Sequence, residues 1–166
     1  ACKLDDSLKY IGVDHGVEIL LKQGIKPVFA IGDFDSIEKK TKEVAVMVKA
    51  DQRYKGLLIS ANEAMENINK NTLLIVVDNH KSSLALSKPL LDRVKNKVII
   101  DHHRRGEEFI EAPVLTYLEP ASSSTVELVI ELCDYQNVDL KINELDATIM
   151  YAGMLVDTNN FKQRVG

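Results

Sequence analysis

The chain has 166 residues, of which 45% are hydrophobic and 28% are charged, and its net charge at pH 7 is -4. This length allows one domain with a substantial core but excludes two full-sized domains, and the composition excludes an intrinsically disordered chain. The negative charge argues against general nucleic-acid binding, because affinity for a phosphate backbone comes from clustered lysine and arginine. Local basic patches can still hold a small phosphorylated ligand.

The cysteine count and the distribution of apolar residues bear on the cellular compartment. Cys2 and Cys133 form no CxxC pair and are too few for a disulfide framework, which predicts a reducing, cytoplasmic environment. Apolar runs fall well short of the roughly 18 residues needed to span a bilayer, so no membrane segment is expected in this chain. The N-terminus also lacks the apolar region of a signal peptide. The sequence does not indicate an oligomeric state.

The front of the chain alternates short apolar runs with stretches of helical period. Strands are predicted at residues 9–13 and 27–31, and helices at residues 17–23 and 37–49. Gly24 ends the first of these helices as a C-cap. The second helix is amphipathic and rich in lysine, and its charges are interpreted as a solvated face.

The remainder of the chain continues this alternation. Further strands are predicted at residues 73–77, 98–100 and 113–118, and helices at residues 60–69, 84–95, 125–132 (after the serines at 122–124) and 143–156. Strands that alternate with helices imply a parallel sheet covered by helices. The predicted fold class is therefore α/β, as a single three-layer, Rossmann-like domain over residues 1–166 with a mainly parallel sheet.

Polar residues follow three apolar runs, and in open α/β sheets ligands bind beyond the carboxyl ends of the strands. They are Asp78, the cluster from Asp101 to Arg105, and Asp157 at the end of a helical stretch. One Asp after a strand is more often a turn former or helix cap, but capping does not require Asp, His, His, Arg and Arg in succession. Carboxylates and imidazoles suit a divalent metal such as manganese, and arginines suit phosphate. The pattern indicates metal-assisted hydrolysis of a phosphate ester.

Four motifs between about residue 52 and residue 166 resemble the DHH phosphoesterase superfamily. They are VVDNHKSS at 76–83, VIIDHHRRGEEFI at 98–110, EPASSSTVELV at 119–129 and GMLVDT at 153–158. Within the superfamily they are most similar to the phosphodiesterase domain of GdpP-type cyclic-di-AMP hydrolases. The resemblance implies a metal-dependent phosphodiesterase that uses manganese or magnesium, with a small phosphorylated ligand such as a cyclic dinucleotide.

The resemblance also implies a role for each residue that matches a family motif. Metal ligands are expected at Asp78, His102 and Asp157. Two catalytic roles are expected next to them: Asp101 orients the imidazoles without binding the metal itself, and His103 faces the scissile phosphate. The residues expected to contact the substrate are Arg104, Arg105 and Ser123.

The front segment departs from the family pattern, in which a motif of the form HxxxDxD follows the first strand. Here YIGVDHGVEILLKQGIKPVFAIGDFDSI at 10–37 resembles the N-terminal portion of a bacterial thiamine pyrophosphokinase. The GDFDS segment of that family helps to bind magnesium and the pyrophosphoryl donor. A chimera is therefore predicted, with a kinase-like segment over about residues 8–40 that is joined near residues 40–52 to the DHH-like portion. Its two parts are delimited as 1–45 and 46–166.

These departures lead to expectations about activity. In the family, the HxxxDxD motif supplies one His and two Asp as metal ligands, and this chain lacks that motif. Four side chains are candidates to replace these ligands, namely Asp14, His15, Asp33 and Asp35. With three secure ligands, only one metal ion or none is expected to bind. The chain also ends at Gly166, before the small C-terminal lobe with which GdpP-type enzymes bind substrate, so impaired hydrolysis of cyclic-di-AMP is expected.

Three functional hypotheses remain open at this point. The first is a DHH-type phosphodiesterase core with impaired activity. The second is an engineered or recombined α/β chimera without catalytic function, suggested by the junction of two unrelated motifs. The third is a thiamine pyrophosphokinase, which only the front segment supports. Manganese-dependent turnover of a phosphodiester distinguishes the first hypothesis from the other two.

Overall fold

The structure is a computed structural model that describes residues 9–13, 29–31, 50–54, 59–135 and 142–163. The helices predicted at 17–23 and 37–49 lie outside these residues. Within the described part of the chain, no helix has the length and apolar character needed to cross a membrane.

Five strands form one parallel sheet: β1 (Lys9–Val13), β2 (Phe29–Ile31), β3 (Thr72–Val77), β4 (Asn96–Asp101) and β5 (Leu115–Leu118). Their order across the sheet is β2-β1-β3-β4-β5, and every neighbouring pair is parallel. The strand predictions are confirmed, with small differences at the ends. The front strands belong to the same sheet as the rest, because Ile11 of β1 pairs with Leu74 of β3.

Two helices begin at the capping residues that the sequence contains. Helix α1 (Ala61–Asn67) follows Ser60, whose hydroxyl accepts from the backbone N–H of Glu63 at 3.3 Å while the Glu63 carboxylate accepts from the backbone N–H of Ser60 at 2.8 Å. Helix α4 (Glu144–Asp157) follows Asn143, whose side-chain oxygen accepts from two backbone N–H groups of its first turn.

The helix predicted at residues 84–95 is shorter than expected. Ser82–Leu84 forms a single 3-10 turn, and α2 covers only Lys88–Arg93. The reason is local: Ser87 caps the helix, and Pro89 lies in its first turn, where a residue without an N–H is tolerated. A helix beginning at residue 84 would place that proline in its interior.

Helices cover both faces of the sheet, which confirms the three-layer α/β architecture. Because side chains alternate along a strand, Leu74 and Val76 pack toward α1 and α2, whereas Ile75 and Val77 pack toward α3 (Thr125–Tyr135). Burial on both faces makes β3 and β4 central strands. Their carboxyl ends lie side by side, since Val77 pairs with Ile100.

Candidate metal centre

Asp78 is the first residue after β3, and its backbone is in the left-handed region with φ 63°. That conformation is unfavourable for most L-residues and is least so for Asp and Asn. The backbone is held by a hydrogen bond from the Asp78 N–H to the Ile100 carbonyl at 2.9 Å. The side chain is held by the Thr125 hydroxyl, which donates to Oδ1 at 2.6 Å. Asp78 is thus fixed from two directions although its side chain stays 35% exposed.

His102 follows β4, and its side chain is only 1% exposed. Its Nδ1 lies 3.3 Å from the Ser122 carbonyl, which can only accept, so Nδ1 donates and Nε2 is the ring atom left to face the site. This buried Nε2 has no hydrogen-bond partner among the described residues. It faces two carboxylate oxygens, at 3.4 Å from Asp78 Oδ1 and 3.8 Å from Asp157 Oδ2. In a neutral imidazole with its proton on Nδ1, Nε2 can bind a metal, and a cation between it and the two carboxylate oxygens could bind all three atoms.

Asp157 is the last residue of α4. The carboxyl end of a helix carries partial negative charge, so an Asp there is unfavourable unless a cation compensates it. The next residue, Thr158, is fully buried and closes the helix through its N–H to the Met154 carbonyl at 3.1 Å. The fold therefore directs a carboxylate toward His102 at the position where a helix least favours one.

Asp101 lies at the end of β4 and is completely buried. Its Oδ1 accepts from the Nδ1 of His103 at 2.7 Å and from the backbone N–H of His103 at 3.1 Å, while Oδ2 is bonded to the Nδ1 of His80. The ring of His103 is 46% exposed. The two imidazoles that are hydrogen-bonded to Asp101 are therefore those of His103 and His80.

The charge states of Asp101 and His103 depend on each other. Burial raises the pKa of Asp101, but the hydrogen bonds from His103 and His80 outweigh it and bring that pKa to about 2. The same bond to Asp101 raises the pKa of the His103 imidazole, although partial burial lowers it. An ionised Asp101 therefore favours the protonated form of His103. His103 also lies close to the ligand atoms of Asp78 and His102, with all three atoms within 4.8 Å of one another.

The residues predicted to contact substrate differ in their exposure and in the groups that they contact. Arg104 and Arg105 are exposed, and the Arg105 guanidinium lies over the Phe109 ring at 4.6 Å from its centroid. Ser123 donates from both its backbone N–H and its hydroxyl to Glu127 Oε2 at 2.8 Å. The structure thus gives Ser123 a partner within the protein. The four front candidates, Asp14, His15, Asp33 and Asp35, lie outside the described residues.

Sequence reasoning assigned no role to His80 or Thr125. Both lie inside quoted motifs, His80 in VVDNHKSS and Thr125 in EPASSSTVELV. His80 carried a signal, because a histidine three residues after a buried strand is a candidate for burial near the site. Thr125 carried none, since its contact with Asp78 joins residues that are 47 positions apart.

Several characterised proteins are similar to this chain. It is 42% identical over 156 residues to the cyclic-di-AMP phosphodiesterase GdpP of Bacillus subtilis (strain 168), an alignment that covers 94% of this chain and 24% of that protein. It is 47% identical over 109 residues to the cyclic-di-AMP phosphodiesterase PdeA of Listeria monocytogenes serotype 1/2a (strain 10403S), covering 66% of this chain and 17% of that protein. The chain thus spans about a quarter or less of the length of these relatives.

A solved structure supports the fold. An exopolyphosphatase-related protein from Bacteroides fragilis superposes with a TM-score of 0.67 over 94% of this chain and 48% of that chain. The two sequences are 19% identical, so this likeness concerns the fold alone.

The comparisons give no support to a thiamine pyrophosphokinase segment or to a chimera. The Bacillus alignment covers nearly the whole chain, including most of the segment predicted to be kinase-like. Parallel strands followed by polar loops are common to many α/β families, so a short motif such as GDFDS does not distinguish them. The model of the DHH family, N-terminal domain, matches residues 9–154, beginning at the first residue of β1. The chain belongs to the DHH family.

Proposed function

We propose that this chain is a metal-dependent phosphodiesterase core that acts on a cyclic dinucleotide such as cyclic-di-AMP. Support for the substrate class comes from the relatives that are named cyclic-di-AMP phosphodiesterases. Support for the chemistry comes from one observation above all. The buried Nε2 of His102 has no hydrogen-bond partner among the described residues and faces two carboxylates.

The ligand set fits a divalent cation held by Asp78, His102 and Asp157. A cation among these groups would convert their mutual repulsion into attraction, which is large in a partly buried site. Two carboxylates and one imidazole suit manganese better than magnesium, because magnesium prefers oxygen ligands and retains several waters. Manganese is therefore the cofactor that we propose, with magnesium as the weaker substitute.

When bound, such a metal polarises a phosphoryl oxygen and lowers the pKa of a coordinated water toward neutrality. The protein supplies the positioning. Asp101 fixes the imidazole of His103, and the raised pKa of His103 favours a positively charged donor for a phosphate oxygen. Arg104 and Arg105, which follow His103 in the chain and are exposed, stay predicted contacts of the substrate.

A second metal ion would need ligands beyond these three. Asp14, His15, Asp33 and Asp35 stay predictions for that role, as does the expectation that only one ion or none binds. The comparisons lend no support to the impaired activity expected from the sequence, and the assay described below decides it.

The wider organisation belongs to this proposal as well. A single domain over residues 1–166 is supported by the pairing of the front strands with β3 in one sheet. A cytoplasmic location stays a prediction from the low cysteine count.

Hydrolysis of cyclic-di-AMP with excess manganese, with magnesium and with a chelator tests the proposal. We expect turnover with manganese, less with magnesium and none with chelator. Asp78→Ala and His102→Ala should each reduce turnover to background, whereas Asp92→Ala, which removes an exposed acid on α2, should not. Absence of turnover with manganese, or turnover that survives both site variants, would contradict the proposal.

A further inference from the structure

The carboxylate of Asp101 is held by three donors from two directions. Because an ionised carboxylate only accepts hydrogen bonds, the Nδ1 atoms of His80 and His103 must both donate to it. His80 donates to Oδ2, whereas the ring and the backbone N–H of His103 both donate to Oδ1. Each oxygen of a completely buried carboxylate therefore depends on a different histidine.

The ring of His80 is itself held in place. Its side chain is 1% exposed, and the ring stacks on Phe109 with centroids 5.3 Å apart and planes 29° apart. The backbone is fixed as well, because the His80 carbonyl accepts from the Ile110 N–H at 2.8 Å. A side chain restrained by stacking and burial presents its Nδ1–H in one direction only.

We propose that His80 is a positioning residue, which holds Asp101 in the orientation that directs the imidazole of His103 toward the substrate. The inference rests on the proposed function for its effect on hydrolysis. It assigns a role to a residue that does not reach the substrate itself, because the buried ring of His80 is separated from the exposed ring of His103 by Asp101.

The physical reason is the cost of an unpaired buried oxygen. Without His80, Oδ2 of Asp101 would be buried without its partner, and the carboxylate would turn to recover a donor. That rotation would misalign Oδ1 with the ring of His103. Removal of groups that orient ligands in this indirect way typically costs 10- to 100-fold in activity.

Two substitutions with the same number of heavy side-chain atoms separate the hydrogen bond from simple packing. His80→Asn keeps an N–H donor close to the Nδ1 position, and His80→Leu fills a similar volume without a donor. The full chain is assayed for manganese affinity, and for kcat and KM with cyclic-di-AMP. We expect His80→Leu to lower kcat by roughly 10- to 100-fold with little change in KM or manganese affinity. His80→Asn should recover most of that loss.

NMR of the metal-free wild-type chain with isotope-labelled histidine provides a readout that needs no turnover and no variant. We expect both His80 and His103 to carry a proton on Nδ1, with the Nδ1–H signal of His103 shifted downfield. That signal should persist in His80→Asn and broaden or vanish in His80→Leu.

The outcomes are distinguishable from failure of the proposed function. Absence of manganese-dependent turnover in the wild-type chain would contradict the proposed function. The NMR measurement of the Nδ1 protons would still test the role of His80. A His80 protonated on Nε2 alone would overturn the positioning role, even if His80→Leu does not fold. Full kcat in His80→Leu, or an equal loss in a folded His80→Asn, would overturn it too.

Discussion

Two groups of residues near the carboxyl ends of β3 and β4 each contain a buried histidine, and the contacts of the two histidines differ. On the open side, formed by Asp78, His102 and Asp157, the Nε2 of the histidine faces two carboxylate oxygens. On the closed side, formed by His80, Asp101 and Phe109, the histidine donates to a carboxylate and stacks on an aromatic ring. Burial of a histidine therefore does not by itself identify a metal ligand.

The surroundings of the carboxylates separate the two sides. The closed side has one carboxylate that receives three N–H donors, although the buried Nε2 of His80, like that of His102, has no hydrogen-bond partner among the described residues. The open side has two carboxylate oxygens within 3.8 Å of an imidazole Nε2 that has no hydrogen-bond partner among the described residues. A cation could bind all three of these atoms. Substitutions on the open side should therefore affect metal binding more than folding.

The largest effect is expected from His102→Gln, which keeps much of the side-chain volume but removes the imidazole ligand. A metal contributes several kcal/mol to the transition state, so hydrolysis of cyclic-di-AMP should fall by about a thousandfold or more. The free energy of unfolding of the metal-free chain, measured by urea denaturation, should change by about 1 kcal/mol or less. A large loss of stability with manganese binding intact would reverse the distinction between the two sides.

A smaller effect is expected from Thr125→Val, which replaces the hydroxyl on Asp78 by a methyl group of similar size. Asp78 would lose the donor that orients its carboxylate, and manganese affinity should weaken by roughly 10- to 100-fold in calorimetric titration. Thr125→Ser retains the hydroxyl and serves as the control. Equal affinities for the wild type and Thr125→Val would show that this hydrogen bond does not organise the open side.

The backbone of Asp78 provides a third comparison. At φ 63°, an L-residue other than Asp or Asn is strained by about 1 to 2 kcal/mol, which glycine avoids. Part of this gain is offset by the larger conformational entropy of glycine in the unfolded chain. Metal-free Asp78→Gly should therefore be more stable than Asp78→Ala by about 0.5 to 1 kcal/mol in urea denaturation, although neither binds manganese. A more stable Asp78→Ala would argue against the left-handed conformation.

The smallest effect concerns carboxylates at helix ends. Asp157 ends α4, and the exposed Asp134 lies in the last turn of α3, so each opposes the partial negative charge there. Each Asp→Asn substitution should stabilise the metal-free chain by about 0.3 to 1 kcal/mol, measured as a rise in Tm. Only Asp157→Asn should weaken manganese binding. Equal manganese affinities in the two variants would exclude Asp157 as a ligand.

Much of the fold could be predicted because its determinants are local. Apolar runs predicted the five strands, and Ser60 and Asn143 predicted the starts of α1 and α4. The convergence of Asp78 and His102 could be predicted too, because carboxyl ends of neighbouring parallel strands meet at one edge of the sheet. The predicted start of α2 at residue 84 was wrong. The helix begins at Lys88, because Ser87 caps it and Pro89 is tolerated only in its first turn.

The rest of the site depends on packing that no local pattern encodes. His80 follows the strand, where alternation no longer tells which way a side chain points, so its bond to Asp101 could not be read from the sequence. The contact of Thr125 with Asp78 depends on how α3 packs against the sheet. The chimera prediction shows a different limit, since GDFDS is a short motif that does not by itself distinguish one α/β family from another.

The most direct test of the open side is a crystal structure of the chain grown with manganese, with anomalous diffraction measured to locate the metal. We predict an anomalous peak within about 2.0 to 2.3 Å of His102 Nε2 and of a carboxylate oxygen from each of Asp78 and Asp157. The closed side should bind no metal, and Asp101 should retain its bonds to His80 and His103. A peak bound to His80 or Asp101, or no peak near His102 at saturating manganese, would contradict the assignment of the open side as the metal centre.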